Sequence, residues 1–568
     1  MLGKYWQAQL SILTVLVVQS TTILSISTGI KTFAVTPASR SVASQCTEAQ
    51  IKKHIQQLGI EDNALTSFNA LVACNSSSVP ALVKVATDKG KNEEIRIIAI
   101  GALGAIGSPA ASAVPSLGIA LNDRSAEIRF VTVDALGKIR TGAVPILIKA
   151  FKDNSASVSL AAAEALGKIG QEAVPALINV MQNTDINARI YAVDALGYIG
   201  AAAKPAVPLL MASALKDENK DVRKSAGKAL GKISSEVVPD LIKALENQDS
   251  NLCVRAADTL GNMGAVAKNA VPALIVALKD KDTSVRSSAA NALGNMGVAA
   301  SSAVSALIVA LKDREVIVRY SAASALGKIG TPAKNIIPAL ISAFKDGDKR
   351  VRITAASALG KIGKDAVPDL ISALKNSDTN VRSNAARALG IIGADASFAV
   401  PSLISVFKKD NVFVISIVAE ALALIGTNTQ DTIPLIINAL QHKDEIVRFK
   451  AAYALGLFGI KASYAVPELT RLFLDKRENI RVRYYAMNSL KNIGTEQALS
   501  VLNNNEAITN DVAQRFATAI GSSYDFVILA APSDQLWIAS TRVAKQKSPW
   551  ICKIPILKAI PKCRIVKR

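Results

Sequence analysis

The chain has 568 residues, 50% of them hydrophobic but only 4% aromatic, and a formal net charge of +21 from 66 Lys and Arg against 45 Asp and Glu. Its apolar content is therefore mostly Ala, Leu, Ile and Val, a composition that favours helix. It has two histidines, His54 and His442, neither near a second ligand at metal-site spacing, which argues against a histidine-built active site.

The first element is a leader. Lys4 precedes the apolar stretch "LSILTVLVVQSTTILSISTGI", and the small-residue run "TPASRSVAS" then offers cleavage after Ala38 or Ala43. Residues 1–43 are expected to be a secretory signal, with an uncleaved anchor helix as the alternative, since the stretch is about long enough to cross a bilayer. Gln45 stands before Cys46, where a lipoprotein signal needs a small residue. The expected location is the periplasm, the exterior, or the membrane surface by way of an uncleaved segment.

Residues 44–74 follow as a helical cap, "CTEAQIKKHIQQLGIEDNALTSFNALVAC", whose polar face would shield the next unit from water. In an oxidising compartment Cys46 with Cys74, and Cys552 with Cys563, suggest two terminal clamps around a buried Cys253 thiol. Five free thiols are the alternative.

From about Asn75 to Gly494 one sentence is written thirteen times, with Pro80, Pro115, Pro145, Pro175, Pro208, Pro239, Pro272, Pro338, Pro368, Pro401, Pro434 and Pro467 in one slot and Ser305 in the remaining copy. The copies are 30 to 35 residues apart, a period that marks a stacked array, because a single unit cannot bury its own apolar face. In "AVPALIVALKDKDTSVRSSAANALGNMG" the proline opens a first helix, A, and "KD" breaks it. A second helix, B, then places Val285, Ala289, Leu293 and Met296 on one face and stops at Gly297.

The opening proline, "KD", "VR" and "AAxALGxIG" resemble the short HEAT-like repeats of the family that includes the phycobilisome (phycobilin) lyase subunits. The resemblance covers about three quarters of the chain and implies an all-α fold: an α-solenoid superhelix of about thirteen two-helix repeats over 75–494, with its B helices on the concave side. It also implies that the recurrent arginine (Arg96, Arg129, Arg189, Arg223, Arg286, Arg319, Arg352, Arg382, Arg448, Arg483) and a turn aspartate such as Asp280 or Asp313 tie units together. Deoxyhypusine hydroxylase, another HEAT-like family, carries paired His-Glu metal ligands, and this sequence has neither pair.

Residues one, five and nine beyond the arginine slot form a single stripe on helix B, away from its core face. The stripe carries Phe130, Asp134, Lys138, Leu160, Glu164, Lys168, Ile190, Asp194 and Tyr198, then Lys224, Lys228 and Lys232. Further on come Ser287, Asn291 and Asn295, then Tyr320, and finally Phe449, Tyr453, Leu457 and Tyr484. Phe130, Asp134, Glu164, Asp194, Tyr198, Tyr320, Phe449, Tyr453 and Tyr484 are the candidate partner-binding residues, the last aromatics being expected as exposed anchors. A drifting solvent face is the plainer alternative.

Beyond Gly494 the repeat stops. Residues 495–568 begin as helix, and "YDFVILAA", "DQLWIAST" and "WICKIPIL" read as short strands. Thr541 to Arg568 holds nine Lys or Arg and no acid, so Lys558, Lys562, Arg564, Lys567 and Arg568 are candidates for docking on an anionic membrane surface. Export argues against nucleic acid as the partner. No phosphate loop, nucleophile elbow or cysteine-rich metal motif is present, so no cofactor and no catalytic residue is expected. The sequence reads as a non-catalytic protein-interaction scaffold. The alternative is a phycobilin lyase-like subunit or chaperone-like assembly factor acting on a protein substrate.

Overall fold

The computed structural model describes residues 46–60, 63–427, 429–522, 527–529 and 537–539. The leader, Cys552, Cys563 and the basic residues Lys558, Lys562, Arg564, Lys567 and Arg568 lie outside the described residues. Regular structure is helical except for two short antiparallel strands, β1 (Val527–Leu529) and β2 (Trp537–Ala539), with Ile528 opposite Ile538. The chain divides into two compact units after Ala270.

The first unit opens with α1 (Glu48–Gln57) and α2 (Ala64–Ala73), packed on the first repeat and joined at their outer ends by a Cys46–Cys74 disulfide. Its B helices include α3 (Ala126–Ile139), α4 (Ala156–Ile169), α5 (Ile186–Ile199) and α6 (Lys220–Ile233). In the second unit they include α7 (Thr283–Met296), α8 (Val316–Ile329), α9 (Thr379–Ile392), α10 (Val412–Ile425), α11 (Glu445–Phe458) and α12 (Ile480–Ile493). A helix from outside the repeat, α13 (Glu506–Ser522), packs on α12. Among the described residues thirteen B helices recur, each of 14 residues, so the all-α solenoid read from the sequence is what the chain forms.

Each B helix is started and stopped by identifiable chemistry. Asp282 caps α7 by accepting the Ser284 and Val285 N–H groups, which have no partner inside the helix. Val285, Ala289, Leu293 and Met296 are all buried. Gly297, at φ +60°, ends the helix where a side chain would be strained. The chain then makes a 3-10 turn, Gly297–Ala303, into the next A helix. Sequence reading passed over these turns, since "GVAASSA" has no strong periodicity, yet Ala300 and Ala303 are fully buried. A helices begin on Val-Pro, as at Val400–Lys409, where the missing proline N–H costs nothing.

The glycine of "ALG" has a different task. A Cβ on Gly294 would stand 2.7 Å from the Ala325 Cα, and one on Gly137 2.7 Å from the Ala165 Cβ. Neighbouring B helices therefore meet at van der Waals distance between their backbones, which only glycine permits.

Charge ties the repeats laterally. Arg129 grips Asp153 through Nε (2.7 Å) and Nη2 (2.9 Å), while its Nη1 donates to the Asp123 and Arg124 carbonyls of its own turn. The same rung joins Arg96 to Asp123 and Arg189 to Asp217 in the first unit. In the second it joins Arg286 to Asp313, Arg319 to Asp346, Arg382 to Asp410, and Arg448 to Glu478. Where the next turn carries asparagine, at Asn247 or Asn376, Arg223 and Arg352 keep only the carbonyls of their own turns. Cys253 occupies the slot elsewhere as a buried thiol whose Sγ donates to the Asn247 carbonyl at 3.0 Å.

Among the described residues, four continuous helical stretches, Thr283–Ala310 being one, have the length and hydropathy of a membrane span. Each is a B helix running through a 3-10 turn into the following A helix, and its core residues face neighbouring helices.

Candidate functional site

Within each unit, once the B helices stack, the residues that neither the core nor the rungs need share one face. In the first unit this face carries Phe130, Leu160 and Tyr198, all more than 40% exposed. The acids between them are not equivalent. Asp134 is paired with Lys138 at 2.8 Å and lies 3.8 Å from Lys168, whereas Glu164 is exposed.

Asp194 faces a small polar cavity of about 220 Å³ lined by Tyr198, Ser225, Lys228 and Lys232, among others. Burial holds its carboxyl above the usual range, even though the Ser225 hydroxyl and the two lysines pull the other way. Burial, with Glu164 and Asp194, also raises the Tyr198 phenol, and the Lys232 ammonium sits 4.9 Å over the Tyr198 ring. The Ser225 hydroxyl donates to the Asp194 carboxylate.

In the second unit the face begins polar. Ser287 is buried against the Ser321 hydroxyl at 3.0 Å, and Lys328 donates to the Asn295 side chain at 2.9 Å. Burial, helped by Lys361, lowers the Lys328 ammonium. Tyr320 is exposed.

From α9 onward the face becomes a mixed cluster. Glu420 on α10 pairs with Lys450 on α11 at 3.0 Å, and Lys450 lies 5.8 Å from the Phe449 ring centroid and 5.7 Å from that of Tyr453. Burial, with Glu420 and Tyr485, pushes the Tyr453 phenol up to about 12. One turn along the same helices lie Ile391 and Leu424, both more than 40% exposed, and the half-buried Leu457.

The expectation that Phe449, Tyr453 and Tyr484 stand exposed needs correction, because all three are half-buried. Tyr485 packs against Phe449, Tyr453 and Tyr484, and Phe516 of α13 stacks on Tyr484 with ring centroids 3.6 Å apart. These rings hold α13 onto the array.

The sequence profile for HEAT repeats matches residues 114–185, 174–257, 238–304, 271–336, 337–423, 400–476 and 433–521. The chain belongs to the HEAT-repeat family. Similar solved structures include yeast importin-beta (Kap95p), at 15% identity and a TM-score of 0.38, covering 83% of this chain and 76% of that one. The Kap95:Nup1 complex is 15% identical with a TM-score of 0.37, covering 82% and 69%. Kap121p bound to Nup53p is 14% identical with a TM-score of 0.35, covering 86% and 60%. No curated protein matches the sequence.

In this HEAT-repeat protein the sequence-derived stripe does lie on one face within each unit. It brings Asp194 and Tyr198 together with Lys228 and Lys232, and Phe449 together with Tyr453. Asp134 and Tyr320 each stand apart from these clusters. Arg387, Glu420, Ile391 and Leu424 were missed, although counting five and nine residues from Arg382 and Ile415 names all four. Tyr485 lies one residue off the stripe, and only the position of Phe516 explains its role. Among the described residues no group of three or more His, Cys, Asp or Glu could hold a metal ion.

Proposed function

We propose that this HEAT-repeat protein is a non-catalytic scaffold that binds a protein partner across its B-helix face. One observation carries the reading: large apolar residues stay more than 40% exposed on the B-helix stripe of each unit, Phe130, Leu160 and Tyr198 in the first and Tyr320, Ile391 and Leu424 in the second. Exposing such surface is unfavourable unless another surface covers it. Within each unit the stripe runs over several successive B helices, so one partner could touch several repeats at once.

The test replaces Phe130, Leu160 and Tyr198 with alanine and measures co-purification from the native envelope fraction, with the exposed A-helix residue Ile119 as the control site. Buried aromatic anchors commonly contribute about 2 kcal/mol each, so the triple variant should lose its partner while Ile119→Ala keeps it. Equal recovery by both variants would refute the reading.

Export is part of the proposal. The leader pattern and the Cys46–Cys74 bridge support an oxidising compartment, and the basic tail would then meet anionic headgroups. Fractionation decides this, since recovery only from cytosol would contradict it.

A further inference from the structure

Among the described residues, Arg387 is the one charged side chain with a buried nitrogen left without a hydrogen-bond partner. That nitrogen is Nε, in a guanidinium that offers five N–H donors in a planar fork. The nearest countercharge acting on it is Glu420, but that carboxylate is already held by Lys450 at 3.0 Å. Burying a charge without an acceptor is costly, and the part of this half-buried side chain that remains accessible can recover some of that cost by pairing with an anion that covers the face.

The surroundings specify what that ligand is. Arg387, Glu420 and Tyr453 hold equivalent positions on α9, α10 and α11, and four residues further along these helices stand Ile391, Leu424 and Leu457. An apolar row thus runs beside a polar one. Packed helices lie about 8–10 Å apart, and an extended polyproline II segment has three residues per turn and advances about 3.1 Å per residue, so every third side chain lies on one face and would meet successive helices. With Arg387, Glu420 and Lys450 as its charges, the polar row has a surplus of one positive charge, and that surplus sits at the α9 end.

We propose that the α9–α11 face binds an extended, acidic protein segment whose apolar side chains lie on Ile391, Leu424 and Leu457 and whose Asp or Glu carboxylate pairs with Arg387. The pairing is bidentate in character, as guanidinium and carboxylate favour. Glu420 orients the site, since it discourages a carboxylate from moving toward α10 and keeps Lys450 occupied. This inference rests on the reading of the B-helix face as a protein-binding surface and names the chemistry of the partner there.

The test uses the full chain and three labelled peptides that repeat Leu-Glu-Ser, Leu-Gln-Ser or Leu-Lys-Ser, read by fluorescence anisotropy. The Glu peptide should bind about tenfold more tightly than the Gln peptide, since a hydrogen bond to a charged group contributes that much. Arg387→Gln should reduce the Glu peptide to the level of the Gln peptide and leave the latter unchanged. Glu420→Gln, which keeps Arg387 in place, should strengthen the Glu peptide further. Equal binding of the Glu and Gln peptides, a preference that survives Arg387→Gln, or no binding by any peptide overturns the proposal. If Leu424→Ser weakens all three peptides alike and charge makes no difference, the acidic partner is wrong while the protein-binding face stands. The wider reading fails separately, by retention of the envelope partner after the first-unit substitutions.

Discussion

Arg286 and Asp313 lie 27 residues apart in sequence and meet in two parallel hydrogen bonds, Nε to Oδ2 at 2.8 Å and Nη2 to Oδ1 at 2.9 Å. The same guanidinium donates through Nη1 to the Asp280 and Lys281 carbonyls, so one side chain fixes its own turn and the next. Both partners are largely buried. Removing one leaves the other charge uncompensated, so Asp313→Ala is expected to cost about 3 kcal/mol in urea unfolding. Asp313→Asn, which keeps one acceptor, should cost less.

The rungs also set the response to acid. Burial alone would raise the Asp313 carboxyl, but the hydrogen bonds from Arg286 and from the Glu315 N–H outweigh it and hold the group below its ordinary value of 3.8. Asp123, Asp153, Asp346 and Asp410 are lowered in the same way. A group lowered on folding contributes stability that is fully present above its unfolded value and lost as pH falls through its folded one. Stability should therefore decline from just above pH 3.8 downward, and Asp313→Asn should flatten part of that slope. Asp194 has the opposite sign: its raised carboxyl is a penalty at neutral pH, so Asp194→Asn should stabilise the first unit there.

Backbone contact between B helices predicts a steric cost. Gly294→Ala places a methyl 2.7 Å from the Ala325 Cα, and such overpacking costs about 1–3 kcal/mol. Arg140 is the converse case, a non-glycine at φ +66° where most repeats have glycine. Replacing it with glycine relieves about 1 kcal/mol of strain and gives up one exposed bond to the Lys168 carbonyl. Thermal melts should move down for the first variant and up for the second.

Phe516 tests the aromatic clamp. It is buried on Tyr484, so Phe516→Ala should cost about 3 kcal/mol locally and let protease cut α13 while the repeats survive. If α13 proved no more sensitive than in the parent chain, the rings would not be what holds it.

The array was legible because repetition averages out local ambiguity. Thirteen aligned copies separate residues such as Leu293 and Gly294, which packing fixes, from residues such as Phe130, which it leaves free. The second-unit cluster was harder to read because Ile415 replaces the arginine from which the stripe is counted, leaving Glu420 without its marker. The burial of Tyr484 was invisible for another reason. Its cover comes from α13, outside the period, and periodicity says nothing about a partner that does not recur.

The interrupted rungs carry a mechanical consequence. Paired junctions such as Arg286 to Asp313 and Arg319 to Asp346 are cross-braced, whereas the junctions beyond Arg352 and, in the first unit, beyond Arg223 lack this rung, the latter keeping a single bond from Arg255 to the Leu215 carbonyl and an exposed Lys204–Glu236 pair. Braced joints resist shear because sliding breaks two charged bonds at once, while greased ones yield by small increments. Under load the second unit should therefore behave as stiff segments linked by a compliant one, with the give located at Asn376.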